Sequence, residues 1–399
     1  MSAVQKAALA GIKVLDLSRI LAGPTAAQVL GDLGADVVKV ERPGEGDDTR
    51  KWGPPYVLGA SGKETKESAY YLSANRNKRS IAIDISSQSG QDLVHQLIAQ
   101  ADVLLENYKV GGLSKYGLAY EQIKSRYPRL IYCSVTGFGQ TGPYASRPGY
   151  DFLIQGMGGI MSLTGEPQGE PMKVGVGIAD VMTGMYATVG ILAALRHREK
   201  TGEGQHIDVS LLDTQISWLV NAATNYLSDR QLPERLGNGH PNIVPYQVFS
   251  TADAPMILAV GNDSQFRRFC EVAGVSHLAS DERYATNPMR IRNRVALCEL
   301  VDEALKKRVR SEWLRELDAV GVPCGPVNNL EEVFADPHVK ARGAELSMPC
   351  EWADGGEIRL LANPLRMSAT PPSYRRPPPR LDEHAAEVLA DWLEKRETT

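Results

Sequence analysis

The sequence predicts an α/β fold with more than one domain, and three observations support this prediction. Short apolar runs alternate with segments of helical periodicity between residues 12 and 135, which is typical of a largely parallel sheet covered by helices. A stretch rich in Gly, Pro and Asn at 231–240 indicates a domain boundary near residue 230. The 399 residues, 43% of them hydrophobic, suffice for two or three buried cores.

The elements of the first half follow in order as alternating strands and helices. They are predicted at 12–17, 25–33, 36–40, 80–85, 90–99, 102–106 and 130–135. Ligands bind beyond the carboxyl ends of such strands, so we expect the turn at 20–24 and the segment 106–108 to face a ligand. Neither segment contains the glycine pattern of a dinucleotide-binding loop, which argues against a nicotinamide cofactor.

The second half begins with apolar residues at helical spacing, which predict one long helix that leaves the first domain. A second unit of strands (246–250, 255–260) and helices (264–273, 293–308) is predicted next, followed by a short helix, a strand pair around 344–366, a proline-rich strap at 370–380 and a terminal helix. The predicted organisation is a large domain over 1–206, a linker helix over 207–230, a small domain over 231–318, and a return to the large domain over 319–399.

Composition and charge exclude several classes of function. A net charge of −4 gives no bulk attraction to nucleic acid, so an anionic ligand must be held by local basic residues and helix N-termini. Five scattered cysteines without a C-x-x-C pair predict reduced thiols and no zinc site. The start of the sequence lacks a signal pattern, and no run of about 18 uninterrupted apolar residues occurs. We therefore expect a cytoplasmic protein with no metal, no nucleic-acid partner and no membrane partner.

Asp180 is the most informative residue of the chain. It lies between a small, apolar, glycine-spaced strand at 174–177 and an amphipathic helix. The strand offers few groups that could solvate an anion, whereas the first turn of a helix presents unpaired N–H groups. We expect an ionised, partly desolvated carboxylate there. The alternative is that Asp180 simply caps the helix.

Several motifs in one order, covering nearly the entire chain, carry a resemblance to a known family. They are Ala22-Gly23-Pro24, 34–43, 75–80, 103–108, 137–143, Arg147-Pro148-Gly149-Tyr150-Asp151, 157–159 and 180–184. The chain resembles the class III CoA-transferases, the family of formyl-CoA transferase and carnitine CoA-transferase. The resemblance implies a doubly wound, Rossmann-like large domain built from both chain ends, joined by long linkers to a smaller α/β domain, with two subunits interlocked as a homodimer.

The resemblance also implies a mechanism. In that family the aspartate that matches Asp180 attacks the thioester carbonyl, releases CoA thiolate and forms an acyl-aspartyl anhydride; an incoming carboxylate then forms a second anhydride, and the thiolate returns. Water must be excluded, because an anhydride hydrolyses readily. Two glycine-rich stretches are candidates for an oxyanion site and a lid, with ordinary turns as the alternative. Their residues are Gly137, Phe138, Gly139, Gly261 and Asn262.

Matching the family position by position implies a set of CoA contacts, with CoA thioester as a substrate and no tightly bound cofactor. The set comprises Ile20, Leu21, Ala22, Arg42, Ile83, Asn107, Tyr108, Lys115 and Tyr116. Two positions depart from formyl-CoA transferase. Leu21 stands where that enzyme has a glutamine, and residues 260–263 stand where it has four glycines. Both departures argue against specificity for formyl-CoA and oxalate.

The acceptor is expected to be a short dicarboxylate. Residues 239–247 and 325–329 are most similar to the branch that uses succinyl-CoA as donor and an acceptor such as glutarate. A distal carboxylate needs a cation, and Arg50, Arg76 and His240 are candidates because they adjoin the motifs. For Arg76 and its basic neighbours a solvated strand edge is the alternative, and for His240 an ordinary loop histidine.

Two other classes of protein stay open. The 2-methylacyl-CoA racemases share the fold and the aspartate, but they use a histidine where this chain has Tyr150, and tyrosine is a poor base at neutral pH. Asp263 stands close to the position of their second acidic residue. The other class is a non-catalytic CoA-binding subunit. A transferase needs an acceptor acid, a racemase exchanges the α-proton without one, and a binding subunit does neither.

Overall fold

A parallel sheet of six strands organises the first half of the chain in the computed structural model, which describes residues 7–394. The strands of this half are β1 (Lys13–Asp16), β2 (Asp36–Glu41), β3 (Tyr56–Leu58), β4 (Glu64–Ser68), β5 (Lys78–Ala82), β6 (Val103–Glu106), β7 (Ile131–Thr136) and β8 (His206–Ser210). The helices are α1 (Ala22–Asp32), α2 (Ala69–Ser73), α3 (Gln88–Ile98), α4 (Tyr120–Ile123), α5 (Asp151–Met157), α6 (Ile160–Leu163), α7 (Ile178–Thr201), α8 (Leu211–Ser217) and α9 (Val220–Asp229).

The order of the strands confirms the predicted α/β fold with a large parallel sheet. Neighbours follow the order β5-β2-β1-β6-β7-β8, and all five pairs are parallel. Counted along the chain, this is the order 3-2-1-4-5-6 of a doubly wound sheet, which reverses direction between β1 and β6. The crevice at the carboxyl ends of β1 and β6 is therefore the expected ligand site.

Alternating residues of the strands build two separate cores, one on each face of the sheet. Val14, Val37 and Val103 lie side by side and pack under α1 and α7. Their chain neighbours Leu15 and Leu104, together with Val38, point to the opposite face, where residues of α3 cover them. Because side chains alternate along a strand, near-continuous apolar runs in the sequence are what a sheet buried on both faces requires.

Helix α7 packs closely on α1 because a glycine lies at the crossing. A β carbon at Gly184 would come within 2.6 Å of the Ala22 carbonyl oxygen. By length and composition, α7 is apolar enough to cross a membrane. Half of its most apolar window is buried in the core, so packing accounts for much of this composition.

The remaining strands and helices follow in chain order. The strands are β9 (Tyr246–Ser250), β10 (Pro255–Ala259), β11 (Cys324–Pro326), β12 (Glu345–Pro349) and β13 (Glu357–Leu361). The helices are α10 (Asp263–Val272), α11 (His277–Ser280), α12 (Asn287–Arg292), α13 (Arg294–Leu305), α14 (Arg310–Ala319), α15 (Leu330–Ala335), α16 (Pro337–Ala341) and α17 (Ala385–Leu393). β9, β10 and β11 form an antiparallel sheet, and β12 pairs with β13.

The chain divides into two compact units. The first comprises the described residues up to Ile160, Lys173–Thr224 and the residues from Lys340 onwards. The second comprises Met161–Met172 and Asn225–Val339. The predicted domain bounds assign 161–172 and 319–339 to the large domain, whereas these segments fall in the second unit. The outermost ends of the predicted large domain, residues 1–6 and 395–399, lie outside the described residues.

The predicted single helix over 207–229 is wrong. His206–Ser210 form the edge strand β8, α8 follows directly, and the helical path breaks before α9 begins at Val220. Ile207 and Val209 alternate with polar neighbours, which is a strand pattern. The helical spacing of Val209 with apolar residues downstream masked that pattern.

The basic cluster on β5 is not a solvated edge either. Arg76, Lys78 and Arg79 are at most 4% exposed. Lys78 Nζ pairs with Asp16 at 3.0 Å, and Arg79 pairs with acidic residues that include two on α17. The C-terminal helix and the strap cover this edge, so the charges are paired inside the first unit.

Candidate active site

Helix α7 is capped by Asp151, not by Asp180. Asp180 is the third residue of α7, and the cap position is occupied by Gly177, which has no side chain to offer. The Asp151 Oδ1 atom accepts hydrogen bonds from the N–H groups of Ala179 at 2.8 Å and Asp180 at 3.4 Å. The interpretation of Asp180 as a helix cap is therefore wrong, and its carboxylate is not used to cap α7.

Asp151 is held in place by a buried glutamine. Gln155 Nε2 donates to Asp151 Oδ2 at 2.7 Å, and Gln155 Oε1 accepts from the Val174 N–H at 2.8 Å. Gln155 is fully buried. The segment 174–177 forms no strand, contrary to the prediction, and is positioned instead through this side chain. One glutamine thus fixes both the cap of α7 and the backbone that leads into Asp180.

The Asp180 carboxylate is half-buried and lies beside the negative charge of Asp151. Within the described residues it makes no side-chain hydrogen bond and no salt bridge. Burial raises the pKa of Asp180 to about 7, and the negative charge of Asp151 adds to this effect. A carboxylate with this pKa is partly ionised at neutral pH, and the ionised oxygen lacks the hydrogen bonds that would make it a weak nucleophile.

Asp180 lines a cavity of about 170 Å³ at the carboxyl ends of β1, β6 and β7. Of the predicted contact residues, Ile20, Ala22, Asn107, Tyr108 and Gly137 line the same cavity. The structure therefore brings these residues together at the reversal point of the sheet, where the strand order places the ligand site.

One wall of this cavity is strained. Ile20 has a φ of 71°, in the left-handed region that branched side chains rarely adopt. Its N–H donates to Asp47 Oδ1 at 3.2 Å, and Asn107 holds the preceding residue by accepting from the Arg19 N–H at 2.9 Å and donating to its carbonyl oxygen at 2.6 Å. Such strain persists only where the surroundings impose it, and it is common at ligand sites.

A second cavity of about 460 Å³ lies beside the first in the same unit. Arg42, Ile83 and Tyr116 line it, together with Asp47. Arg19 and Tyr108 line both cavities. A long ligand could therefore fill the larger cavity with a polar end and present its other end to Asp180.

Other predicted contact residues lie outside these two cavities. Leu21 occupies the N-cap position of α1. Lys115 is exposed, with its ammonium group 4.6 Å from the centre of the Tyr116 ring. The Phe138 ring is buried in the core under α7, and the Gly139 N–H already donates to Thr136 Oγ1 at 2.9 Å.

Gly261 and Asn262 lie in the second unit at the start of α10. Asn262 Oδ1 accepts from the Gln265 N–H at 2.9 Å, which makes Asn262 the N-cap of that helix. The Gly261 N–H donates to Gln265 Oε1 at 2.8 Å. These bonds define the first turn of α10, and a lid or oxyanion role for the two residues stays a prediction.

The structure argues against Arg50 as the cation for an acceptor carboxylate. Arg50 is 4% exposed, and its guanidinium binds Glu41 through Nε at 2.9 Å and Nη2 at 2.7 Å. Its Nη1 donates to Glu67 at 2.6 Å, and Tyr71 Oη lies 2.6 Å from Nη2. The donors are used inside the fold, so no free edge of the guanidinium faces a substrate.

Arg76 and His240 are also engaged. Arg76 is 4% exposed and binds both oxygens of Asp32, through Nε at 2.9 Å and Nη2 at 2.6 Å. His240 lies in the second unit, where its Nδ1 accepts from the Asn242 N–H at 3.0 Å and its ring packs against Tyr246. For Arg76 the bidentate pair argues against a substrate role, whereas His240 has the contacts of a loop histidine.

Several charged residues at the site were not predicted from the sequence. Asp47 and Asp151 act through backbone N–H groups that only the folded chain brings near them. Arg19 and Arg147 line the Asp180 cavity. Arg147 and Asp151 are the first and last residues of the motif at 147–151, so the sequence marks this segment. A sequence motif does not show, however, which way a side chain points.

Three comparisons with known proteins agree on one family. A model of the CoA-transferase family III matches residues 9–385. The chain is 52% identical over 395 residues to the succinate–glutarate CoA-transferase of Agrobacterium fabrum, covering 99% of this chain and 98% of that protein. It is 44% identical over 385 residues to the succinyl-CoA:glutarate CoA-transferase of Homo sapiens, covering 96% and 86%. A CaiB/BaiF family crystal structure from Brucella suis matches with a TM-score of 0.85 and 50% identity, covering 97% and 99%.

Proposed function

The chain belongs to the CoA-transferase family III, and from this premise we propose that it moves CoA from succinyl-CoA to glutarate through Asp180. The family and the enzyme class predicted from the motifs are confirmed: the protein is a CoA-transferase. The substrate pair rests on relatives at 52% and 44% identity whose names give succinate or succinyl-CoA together with glutarate.

The proposed reaction begins with attack of the Asp180 carboxylate on the thioester carbonyl carbon of succinyl-CoA. The C–S bond breaks, CoA thiolate leaves, and a succinyl-aspartyl anhydride forms. The glutarate carboxylate then attacks the aspartyl carbonyl carbon, succinate leaves, and a glutaryl-aspartyl anhydride results. Return of the thiolate to the glutaryl carbonyl yields glutaryl-CoA and regenerates Asp180. The thioester energy is conserved in the anhydrides at each step.

The observation that carries this proposal is the state of the Asp180 side chain. It is partly buried, it has a pKa of about 7, and Asp151 has taken over the cap of the helix. A carboxylate kept for structure is normally paired or hydrogen-bonded when buried. One that is desolvated and unpaired beside a cavity has the properties of a nucleophile.

The decisive experiment combines product analysis with trapping of the intermediate. The protein is incubated with succinyl-CoA and glutarate, and the acyl-CoA products are identified by mass spectrometry. We expect glutaryl-CoA from the parent and none from Asp180→Asn or Asp180→Ala, with Asp213→Asn, an exposed aspartate in the first turn of α8, as the matched control. Hydroxylamine during turnover should convert Asp180 to its hydroxamate. Glutaryl-CoA formation by Asp180→Asn would sink the anhydride route.

The structure gives the racemase alternative little support. Tyr150 is 63% exposed, and the Asp263 carboxylate pairs with the buried Arg290 at 2.7 Å and accepts from the Asn287 N–H at 3.1 Å. Asp263 therefore serves the second unit as a structural ion-pair partner. Incubation of a 2-methylacyl-CoA in D₂O without any acceptor acid should leave the α-proton unexchanged, whereas a racemase would exchange it. A non-catalytic subunit would form no acyl-CoA product in the transfer assay.

We also propose that two subunits associate as an interlocked homodimer, as the family resemblance implies. An exposed apolar face of the first unit supports the proposal: Tyr186 and Val189 on α7 are 45% and 60% exposed. Ile216 and Trp218, at and after the end of α8, are also exposed, and Ser217 between them donates to Tyr186 Oη at 3.4 Å. Exposed apolar residues at this density mark interaction surfaces.

A further inference from the structure

The proposed substrates raise a problem of charge that the predicted cations do not solve. Succinyl-CoA and glutarate each bring a distal carboxylate into a cavity that already contains Asp180 and lies beside the capping residue Asp151. An unpaired carboxylate in a poorly hydrated site is costly. Arg50 and Arg76 are occupied by buried carboxylates, so the partner must be another residue.

Three cationic side chains line the Asp180 cavity: Arg19, Lys109 and Arg147. Arg19 Nη1 is already paired with Asp48 at 2.8 Å. Lys109 and Arg147 have no carboxylate partner within the described residues. Both are exposed, but the Arg147 guanidinium is oriented by aromatic contacts, since it lies over the rings of Tyr144 at 4.6 Å and Phe138 at 5.2 Å.

The segment that carries Arg147 is rigidly tied to the site. Gly137 and Gly149 touch back to back, since a β carbon on Gly137 would come within 2.5 Å of the Gly149 Cα. Two residues after Gly149, the Asp151 carboxylate caps the helix that carries Asp180. Only three residues lie between Arg147 and Asp151, the residue that caps α7, so the fold holds Arg147 near the first turn of that helix.

We infer that Arg147 is the specificity-determining residue that binds the distal carboxylate of the acyl group, a role that rests on the proposed function. Its planar guanidinium can bind a carboxylate through two parallel hydrogen bonds while the aromatic faces hold it in plane. The succinyl and glutaryl groups occupy the Asp180 anhydride in turn, and both end in a carboxylate. One cation therefore serves donor and acceptor alike and selects ω-carboxyacyl groups over plain acyl groups.

The test compares substrates that differ only in the distal carboxylate. As acceptors, glutarate and pentanoate are compared; as donors, succinyl-CoA and butyryl-CoA are compared. Each comparison is made in the parent and in the Arg147→Gln, Arg147→Lys and Lys109→Gln variants. We expect Arg147→Gln to lower the ratio of kcat/KM for glutarate to kcat/KM for pentanoate by about 10- to 100-fold, the range of a lost charged hydrogen bond. Arg147→Lys should restore part of the preference, and Lys109→Gln should keep it.

A second readout separates this inference from the proposed function. Hydroxylamine trapping of Asp180 by succinyl-CoA or butyryl-CoA reports the first half-reaction without any acceptor. If the parent is labelled by neither thioester, the proposed function fails and the role of Arg147 falls with it. If the parent prefers succinyl-CoA and Arg147→Gln keeps that preference, or if Lys109→Gln loses it, only the assignment of Arg147 is overturned. Far-ultraviolet circular dichroism of each variant shows whether it is folded.

Discussion

Replacing Asp180 by asparagine should stabilise the folded protein at neutral pH while it abolishes transfer. Burial and the neighbouring Asp151 raise the pKa of Asp180 from 3.8 to about 7. The folded state therefore holds this proton more tightly than the unfolded state does. Below about pH 4, Asp180 is protonated in both states and does not change the free energy of unfolding. Between pH 4 and pH 7 its ionisation progressively lowers the free energy of unfolding. Above pH 7 this loss of stability is constant.

The magnitude follows from the difference between the two pKa values. A tenfold change in an ionisation constant corresponds to about 1.4 kcal/mol, so the upper limit is about 4 kcal/mol above pH 7. Because Asp180 is partly exposed, water screens its charge, and we expect a gain of about 1–3 kcal/mol in the free energy of unfolding. Asparagine keeps the size of the side chain and removes the charge.

The measurement is urea unfolding of the parent and of Asp180→Asn at a series of pH values from 5 to 8, followed by far-ultraviolet circular dichroism. The difference between the two proteins should grow as the pH rises and level off above pH 7. Asp213→Asn, at an exposed position, provides the control for a change of net charge. A difference that stays flat across this range, or that favours the parent at pH 8, would refute the account of Asp180 as a desolvated carboxylate.

Two further predictions concern the ion pairs and the assembly. Arg50→Met should lower the free energy of unfolding by about 3–5 kcal/mol, because Glu41 and Glu67 would stay buried without their cation. We expect the variant to keep any preference for dicarboxylates that the parent shows. A selective loss of that preference would mean that Arg50 binds the substrate. Val189→Glu, on the exposed apolar face of α7, should convert a dimer to monomers in sedimentation velocity, whereas Gln96→Glu, exposed on α3 at the opposite face of the sheet, should not. A parent protein that sediments as an active monomer would remove the proposed dimer.

The fold could be predicted from the sequence where its signal is local. The strands β1, β2, β6 and β7 were found because a run of apolar residues bounded by turns needs no distant partner to be recognised. The edge strand β8 was missed because Val209 fits both a strand and a helical stripe. Pattern alone does not decide such cases, and pairing with β7 decides this one.

The site was predictable only as far as residue identity carries the chemistry. Asp180 is predictable because it begins the motif 180–184, in which the resembled family carries its reactive aspartate; its position before a helix, taken alone, favours a cap. The structure argues against the substrate roles predicted for Arg50 and Arg76 through partners that lie far away in sequence: Glu67 is 17 residues from Arg50, and Asp32 is 44 residues from Arg76. A sequence displays charges but not the pairs they form, and a buried arginine and a substrate-binding arginine look alike until the fold is known.

Asp47 and Asp180 lie near the same crevice, but their surroundings shift the pKa of their carboxyl groups in opposite directions. Burial alone would raise the pKa of both. The pKa of Asp47 is lowered to about 2, because Lys39 Nζ at 2.8 Å and hydrogen bonds from the Thr49 N–H and hydroxyl outweigh burial. This carboxylate is therefore charged at every physiological pH, and it accepts the N–H of the strained Ile20. Asp180 receives no such partners, because Asp151 has taken the N–H groups at the start of α7. Environments that push two carboxyl groups apart in pKa separate a structural role from a reactive one. In the proposed reaction, burial is the main reason that the Asp180 carboxylate is reactive. Asp151 contributes in two ways: it accepts from the N–H groups at the start of α7, and it adds a negative charge beside Asp180.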